Sequence, residues 1–328
     1  MKVIHVCSAS TARGSRIEAQ VQAVEADVIA LVSMLPKLSL VSKLAKNKNS
    51  TFIFHEQYSL VTLFIVYITS FFLSRKNNFI YDIHDILRKK SSAPLKAKLI
   101  FYPLYFLESW VLKRGPIKLV TVSSGLADYY KELSEKTVEV FYNLIPGHFL
   151  PSKEDSERRI DQAIYFGQIY EARITPEDVR KLSKQGLSVS LSGRFPASTT
   201  EKYRQELLLE VDKSGGKFLG EYAPSDLDFL KQFSYSIMLF GETSENIIHC
   251  MPNKLFQSLS YGLTCLVSPH LKEVISNFYD TGFVLTSEEK LNRFSEKDLD
   301  KLNDKLRYMN ERNHLVLKGL VGNTGFSE

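Results

Sequence analysis

MPNKLFQSLSYGLTCLVSP, residues 251–269, reads as one helix followed by one strand. Pro252 suits a helix entry, where its fixed φ helps and its missing N–H costs nothing. Leu255, Phe256 and Leu259 recur at helical spacing, and Gly262 closes the run. Leu263–Ser268 is then a short apolar strand stopped by Pro269. A helix start carrying Asn253 and Lys254 combines free N–H groups, the positive end of the helix dipole and a cation, which together suit an anion. The same residues also fit an ordinary helix–strand unit with Lys254 in solvent.

Upstream, the same alternation repeats. Tyr235–Phe240 (YSIMLF) is an apolar strand, and Ser225–Gln232 before it reads as a helix with an N-cap serine. KFLGEY (217–222) reads as a short strand, Glu201–Val211 as a helix, and LSVSLSG (187–193) as a strand ending in Gly193. AIYFG (163–167) is a strand ending in Gly167, followed by Arg173 and by Thr175-Pro176-Glu177-Asp178, a helix start with cap, proline and first-turn acids. Asp298 to about Leu320 is a polar amphipathic helix.

The first half follows the same rhythm. Lys2–Ser8 is a strand, and SASTARGSR (8–16) is a polar loop with Gly14 before a helix from about Ile17. Asp27–Val32, Ser50–Phe54, Phe79–Ile83, Lys118–Val122 and Val138–Tyr142 are further strands, and Ser123-Ser124 cap a helix. His55-Glu56 and His84-Asp85 each follow a strand at its carboxyl end, where open α/β sheets bind ligands. Strand–helix alternation with short connections predicts α/β architecture with parallel, doubly wound sheets. The charged stretch PSKEDSERRIDQ (151–162) predicts a linker between a domain of residues 1–150 and one of residues 163–328.

Composition narrows the class. The chain has 328 residues, 44% of them hydrophobic and 24% charged, as in a soluble globular protein. Its three cysteines form no CxxC pair, which argues against a disulfide framework or zinc site and for a reducing cytosol. The N-terminus lacks a secretory leader pattern. Leu60–Leu73 is apolar nearly throughout but too short for a bilayer, which needs about 20 residues, so it predicts a buried helix.

Residues 1–150 hold 19 Lys and Arg against 11 Asp and Glu, whereas the remainder holds 23 against 26. A basic half joined to a mildly acidic half points to an anionic surface as partner of the first. Arg88, Lys89, Lys90, Lys96 and Lys98 cluster without an acid, ahead of the aromatic segment Leu99–Arg114, which Pro103 interrupts. That pairing fits docking on an anionic membrane, and it also fits a solvated loop before a core helix. No RNA-binding signature or basic, aromatic-interleaved repeat points to nucleic acid.

The order YFG…Arg173, LSG, FLGEY, buried strand, PNKLFQSLSYG and strand resembles the nucleotide-binding domain of GT-B fold glycosyltransferases. The loop glycine, DIHD, VTVSSGLADYY and VFYNLIP resemble their acceptor domain. The likeness covers nearly the whole chain and is closest to transferases that build bacterial cell-surface polysaccharides. It implies two facing Rossmann-like domains, an acceptor-binding, membrane-facing one and a nucleotide-sugar-binding one, with the C-terminal helix packing back towards the first.

The resemblance assigns Arg173 and Lys254 to the donor diphosphate, where fixed cations neutralise the leaving group without a metal. Asn253 adds donors to the same phosphates. Gly167, Gly193 and Gly14 let backbone approach the nucleotide, and Glu242 reaches towards the sugar. Many retaining members carry two glutamates eight positions apart, and the aligned positions here are His249 and Gln257. Gln257 keeps donor and acceptor capacity towards a ribose diol, whereas His249 is no carboxylate. His84 is the candidate acid/base group and Asp85 its orienter or the base itself, although both also fit a satisfied loop histidine and a helix cap.

The activity so implied is transfer of a hexose from a nucleoside-diphosphate sugar, UDP expected, to a lipid-linked or oligosaccharide acceptor. It requires no cofactor and no metal, and is placed in the cytoplasm on the inner face of the plasma membrane. A sugar-nucleotide epimerase on the same fold, or a non-catalytic sugar-nucleotide or glycan binder, are the alternatives.

Overall fold

Every strand pairing described in the protein is parallel. The computed structural model describes residues 2–9, 15–24, 26–31, 36–86, 95–152, 161–223, 226–241, 244–289, 291 and 296–322. Two units emerge, Met1–Pro146 with Met309–Glu328, and Gly147–Tyr308.

The first unit is built on strands β1 (Lys2–Ser8), β2 (Ala26–Leu31), β3 (Ser50–His55), β4 (Asn78–Ile83), β5 (Lys118–Thr121) and β6 (Val138–Val140), in the order β2-β1-β3-β4-β5-β6. Helices α1 (Ser15–Val24), α2 (Leu38–Ala45), α3 (Leu60–Phe72), α4 (Leu95–Lys113) and α5 (Ser124–Ser134) connect them. Because strand side chains alternate, Phe52, Phe54 and Tyr81 face one core with Leu63, Val66, Leu104 and Val111 of α3 and α4. Ile53, Ile80 and Val120 face a second core, closed by Val316, Leu317, Leu320 and Val321.

Those last residues belong to α11 (Glu296–Val321), so the second domain of the sequence reading, 163–328, gives up its final turns to the first unit. Asn313 fixes the attachment: its Oδ1 accepts from Tyr142 N at 2.7 Å and its Nδ2 donates to Tyr142 O at 2.9 Å.

The second unit carries β7 (Gln162–Gln168), β8 (Ser188–Arg194), β9 (Tyr235–Met238), β10 (Thr264–Val267) and β11 (Val284–Thr286), ordered β11-β10-β9-β7-β8. Its helices are α6 (Pro176–Lys184), α7 (Glu201–Lys213), α8 (Glu245–His249), α9 (Asn253–Ser260) and α10 (Lys272–Phe278), before the start of α11. The start of α6 is a full capping box, in which Thr175 Oγ1 accepts from Asp178 N while Asp178 Oδ2 accepts from Thr175 N.

Four local expectations fail for physical reasons. KFLGEY is no strand: it lies along the outer edge of β8, with hydrogen bonds between Leu191 and both Lys217 and Leu219 and between Gly193 N and Gly220 O, but only Phe218 forms a bridge, to Leu191, and Gly220 takes a φ of +81. The helix expected over Ser225–Gln232 is a 3-10 turn, Asp228–Gln232, with Leu227 before it; Ser225 lies outside the described residues. Helix α4 runs through Pro103, which removes one backbone hydrogen bond but not the packing of Leu104, Val111 and Leu112. Helix α3 is not buried all round, because only Leu60, Thr62, Leu63, Val66 and Ser70 are buried.

Candidate active site

In each sheet the chain reverses its direction of strand addition at one point, and ligands in open α/β sheets bind beyond the strand carboxyl ends there. In the second unit that point lies between β7 and β9. A cavity of about 280 Å³ opens there, lined by Tyr165 and Gln168 of β7, Ile237 to Phe240 at the end of β9, Tyr170, Arg173, and Pro252 to Lys254 at the start of α9.

The glycines explain how Lys254 enters. Gly167 and Gly193 are register partners at the ends of β7 and β8, and both hold φ values that favour glycine, +114 and +136. A Cβ on Gly167 would lie 2.5 Å from Lys254 Cε, and one on Gly193 would lie 1.9 Å from the Gly167 carbonyl oxygen. The lysine stem therefore passes through space that only glycine leaves open. Its Nζ stands 4.1 Å from the centre of the Tyr165 ring and 5.6 Å from that of Phe166. Arg173 lies 4.2 Å over the Phe240 ring and donates from Nε to Tyr170 Oη at 2.8 Å.

No carboxylate lines the cavity among the described residues. Burial, with the neighbouring Arg173 charge, lowers the Lys254 pKa from 10.5 to about 7. Two basic side chains held against aromatic faces, with no counter-ion among the described residues, are arranged to receive an anion. Asn253 lines the same cavity. Gln257 lies one helical turn further along α9, half-buried. His249 Nε2 is 3.4 Å from Glu245 Oε2 on α8, outside the cavity lining. Glu242 and Gly14 lie outside the described residues.

In the first unit the reversal lies between β1 and β3, and there the structure gathers a network that sequence reading caught only in part. Asp82 in β4 is fully buried. Arg16 of α1 grips it with Nε to Oδ2 at 2.8 Å and Nη2 to Oδ1 at 2.5 Å, and donates also to the Thr121, Phe141 and Asn143 oxygens. Gln20 adds Nε2 to Oδ2 at 3.0 Å. His55 Nδ1 lies 3.0 Å from Asp82 Oδ2, and its Nε2 lies 2.9 Å from His5 Nδ1. The first is an ion-pair distance, and in the second one of the two rings donates to the other.

Burial lowers the pKa of both His5 and His55, keeping them neutral. Burial alone would raise Asp82, but Arg16 and His84 outweigh it and hold the carboxylate well below its usual range. For His84, burial is outweighed by Asp82 and Glu56, which raise its pKa. His84 Nδ1 is 3.5 Å from Glu56 Oε1 and its Nε2 is 3.5 Å from Asp82 Oδ2. Arg16 and His84 thus balance Asp82 and Glu56. His55, Asp82 and His84 are close enough to hold a metal ion. Arg16 donates to both Asp82 oxygens as well.

His84 therefore stands at the site, but its carboxylate partners are Asp82 and Glu56. Asp85 offers its backbone carbonyl to Gln57 Nε2 at 2.9 Å and Tyr130 Oη at 3.2 Å. Arg16, His5 and Asp82 were not singled out by sequence, because bonds across 50 to 125 residues leave no local pattern. For Glu56 a signal existed: its place directly after β3, at the strand's carboxyl end.

No family model matches the sequence, and no curated protein matches it. Solved structures align along nearly the full length. A trehalose-6-phosphate structure from E. coli bound with UDP-2-fluoro glucose shares 8% identity over 98% of this chain and 100% of its own, with a TM-score of 0.60. An alpha-glucosyltransferase in complex with UDP and a 13-mer DNA containing a HMU base shares 10% over 96% and 95%, at 0.54. The lipopolysaccharide outer core galactosyltransferase WaaB, in its apo form, shares 12% over 98% and 94%, at 0.52. At such identities the likeness is one of fold, and the fold is GT-B, with two Rossmann-like units.

Proposed function

We propose that this protein is a metal-independent glycosyltransferase that moves a hexose from a nucleoside-diphosphate sugar, a UDP-sugar, to a lipid-linked or oligosaccharide acceptor in surface polysaccharide synthesis. One observation carries the reading: two basic side chains, Arg173 and Lys254, with no ion pair among the described residues, in an aromatic cavity at the switch point of the second sheet. The diphosphate leaving group gains a full charge as the glycosidic bond to it breaks, and preplaced cations stabilise that charge more than they stabilise the bound donor. Asn253 extends the set of donors, and Gln257 is within the same helix for the ribose. No cofactor is required, since the donor carries its own activated bond. The fold supports the reading, as do similar structures that hold UDP or a UDP-sugar.

The first unit supplies the acceptor side. Its sheet end carries His84 between two carboxylates, a group able to orient or exchange the acceptor hydroxyl's proton. It also supports membrane docking from the cytoplasmic side. No described helix is long and apolar enough to cross a membrane. Yet Phe71, Phe72, Tyr102 and Phe106 on α3 and α4 are 68–77% exposed. The two helices pack through Phe64, Tyr67 and Trp110. Arg75, Lys76, Lys113 and Arg114 follow at their ends, and the single acid of either helix, Glu108, is buried. An exposed aromatic face with basic ends and no exposed acid suits the surface of an anionic bilayer. Arg88, Lys89 and Lys90 lie outside the described residues, as do the side chains of Lys96 and Lys98.

Thermal unfolding with UDP, GDP, ADP and CMP tests the donor site. UDP is expected to raise Tm in the wild type and to lose that effect in Lys254→Ala. A shift with another nucleotide but none with UDP would change the donor class. Binding without release of UDP from any UDP-sugar would favour the non-catalytic alternative. Vesicles of anionic lipid should retain the protein at low salt, and Phe71→Ser with Phe72→Ser should weaken retention; equal retention on neutral vesicles would count against docking.

A further inference from the structure

Glu56 occupies a backbone conformation that belongs to glycine. Its φ is 59° and its ψ 168°, a region that residues with a Cβ enter only under strain. The other described non-glycine residues with positive φ are Asn49, Ser74 and Glu135. Glu135 ends α5 in the common left-handed cap. Among these, Glu56 is the one that borders a candidate site.

Hydrogen bonds hold the strained residue from both sides. Its N–H donates to Asp82 O at 3.0 Å, and its carbonyl accepts from Ser59 N at 3.1 Å and Ser59 Oγ at 3.0 Å. The preceding His55 is locked in the buried network. Nothing in these bonds needs a side chain at position 56, so glycine would make them at lower cost. The carboxylate itself stays accessible: the Glu56 side chain is 28% exposed, with Oε1 3.5 Å from the 18% exposed His84. Asp82 cannot do the same work, because Arg16, Gln20 and His55 surround its oxygens.

We propose that Glu56 is the catalytic carboxylate of the first unit, binding the acceptor hydroxyl and taking its proton during transfer. This rests on the transferase reading above. The acceptor oxygen uses a lone pair to bond the anomeric carbon, and its hydroxyl proton passes to a Glu56 oxygen. The bond from the anomeric carbon to the diphosphate oxygen breaks, and its electron pair leaves with the nucleoside diphosphate. His84 orients the Glu56 carboxylate through Nδ1 while Asp82 faces its Nε2. The strain is retained because the turn aims the carboxylate at the end of the sheet.

Three variants test this: Glu56→Gly, Glu56→Gln and Glu56→Ala, each measured for Tm, for UDP binding, and for UDP release from UDP-glucose and UDP-galactose. The proposal expects Glu56→Gly to raise Tm by about 2–4 °C, since strain is relieved. UDP binding should stay within about twofold in all three, because the donor cations lie in the other unit. UDP release should fall about 100-fold or more in Glu56→Gln, which keeps the shape but accepts no proton. A lower Tm in Glu56→Gly, or release within threefold of wild type in Glu56→Gln, would overturn it. Failure of the wild type to bind UDP, read separately, would remove the donor site and overturn this proposal with it.

Discussion

In the first unit, buried charges face opposite charges: Arg16 meets Asp82, and His84 lies between Asp82 and Glu56. In the second unit, Lys254 and Arg173 meet the rings of Tyr165, Phe166, Tyr170 and Phe240, and no carboxylate lines their cavity among the described residues. A buried ion pair completed within the chain is a structural commitment, because loss of one partner strands the other. A half-buried cation with no partner among the described residues weakens the fold and strengthens the binding of whatever anion completes it. The same kind of residue thus does opposite things at the two switch points.

The contrast is broken most sharply by deleting one charge from each site. Asp82→Ala strands Arg16 in the core and should cost about 3–5 kcal/mol of stability, read by denaturant unfolding. Lys254→Met, which keeps the volume but removes the charge, should leave the ligand-free protein as stable or more so, while lowering UDP affinity about 10- to 150-fold. Equal destabilisation by both would mean that Lys254 has a partner after all.

A smaller effect sharpens the comparison through pH. His84 has a pKa raised above its ordinary 6.5, so its contribution is complete below that value and is lost as pH rises through the folded value. Lys254 falls from 10.5 to about 7, so between those values the unfolded chain binds more protons and stability rises with pH. Removing His84 should make the alkaline side of the stability profile steeper upwards, and removing Lys254 should flatten it. Profiles that do not separate in this way would break the assignment of opposite roles. Smaller still, Gln257→Ala should reduce UDP affinity by about three- to tenfold without moving Tm in the absence of nucleotide.

Local chemistry was legible in the sequence. The Thr175–Asp178 cap, the Gly262 stop and the Ser123 cap are contacts within four residues, and the strands betray themselves by apolar runs. Lys254 was found at a helix start, Gly167 and Gly193 at strand ends, and Arg173 through the family resemblance. The Arg16–Asp82–His55–His5 network was not, since its members come from α1, β4, β3 and β1 and only the folded sheet aligns them. The last turns of α11 read as an amphipathic helix, and the resemblance implied that they pack back on the first unit, as Val316 and Leu320 do. KFLGEY has the apolar residues of a strand, yet at the sheet's edge with Gly220 inside, composition gave way to backbone geometry.

Isothermal titration of UDP at pH 8, run in two buffers of different ionisation enthalpy, tests the central claim that the half-buried Lys254, with no ion pair among the described residues, receives the diphosphate. Near pH 8 the free lysine is largely neutral, and the bound diphosphate restores its charge. Wild type should therefore take up close to one proton per UDP, with affinity falling up to about tenfold per pH unit above 7, and Lys254→Met should take up none. UDP binding without proton uptake, at an affinity unchanged in Lys254→Met, would contradict the account.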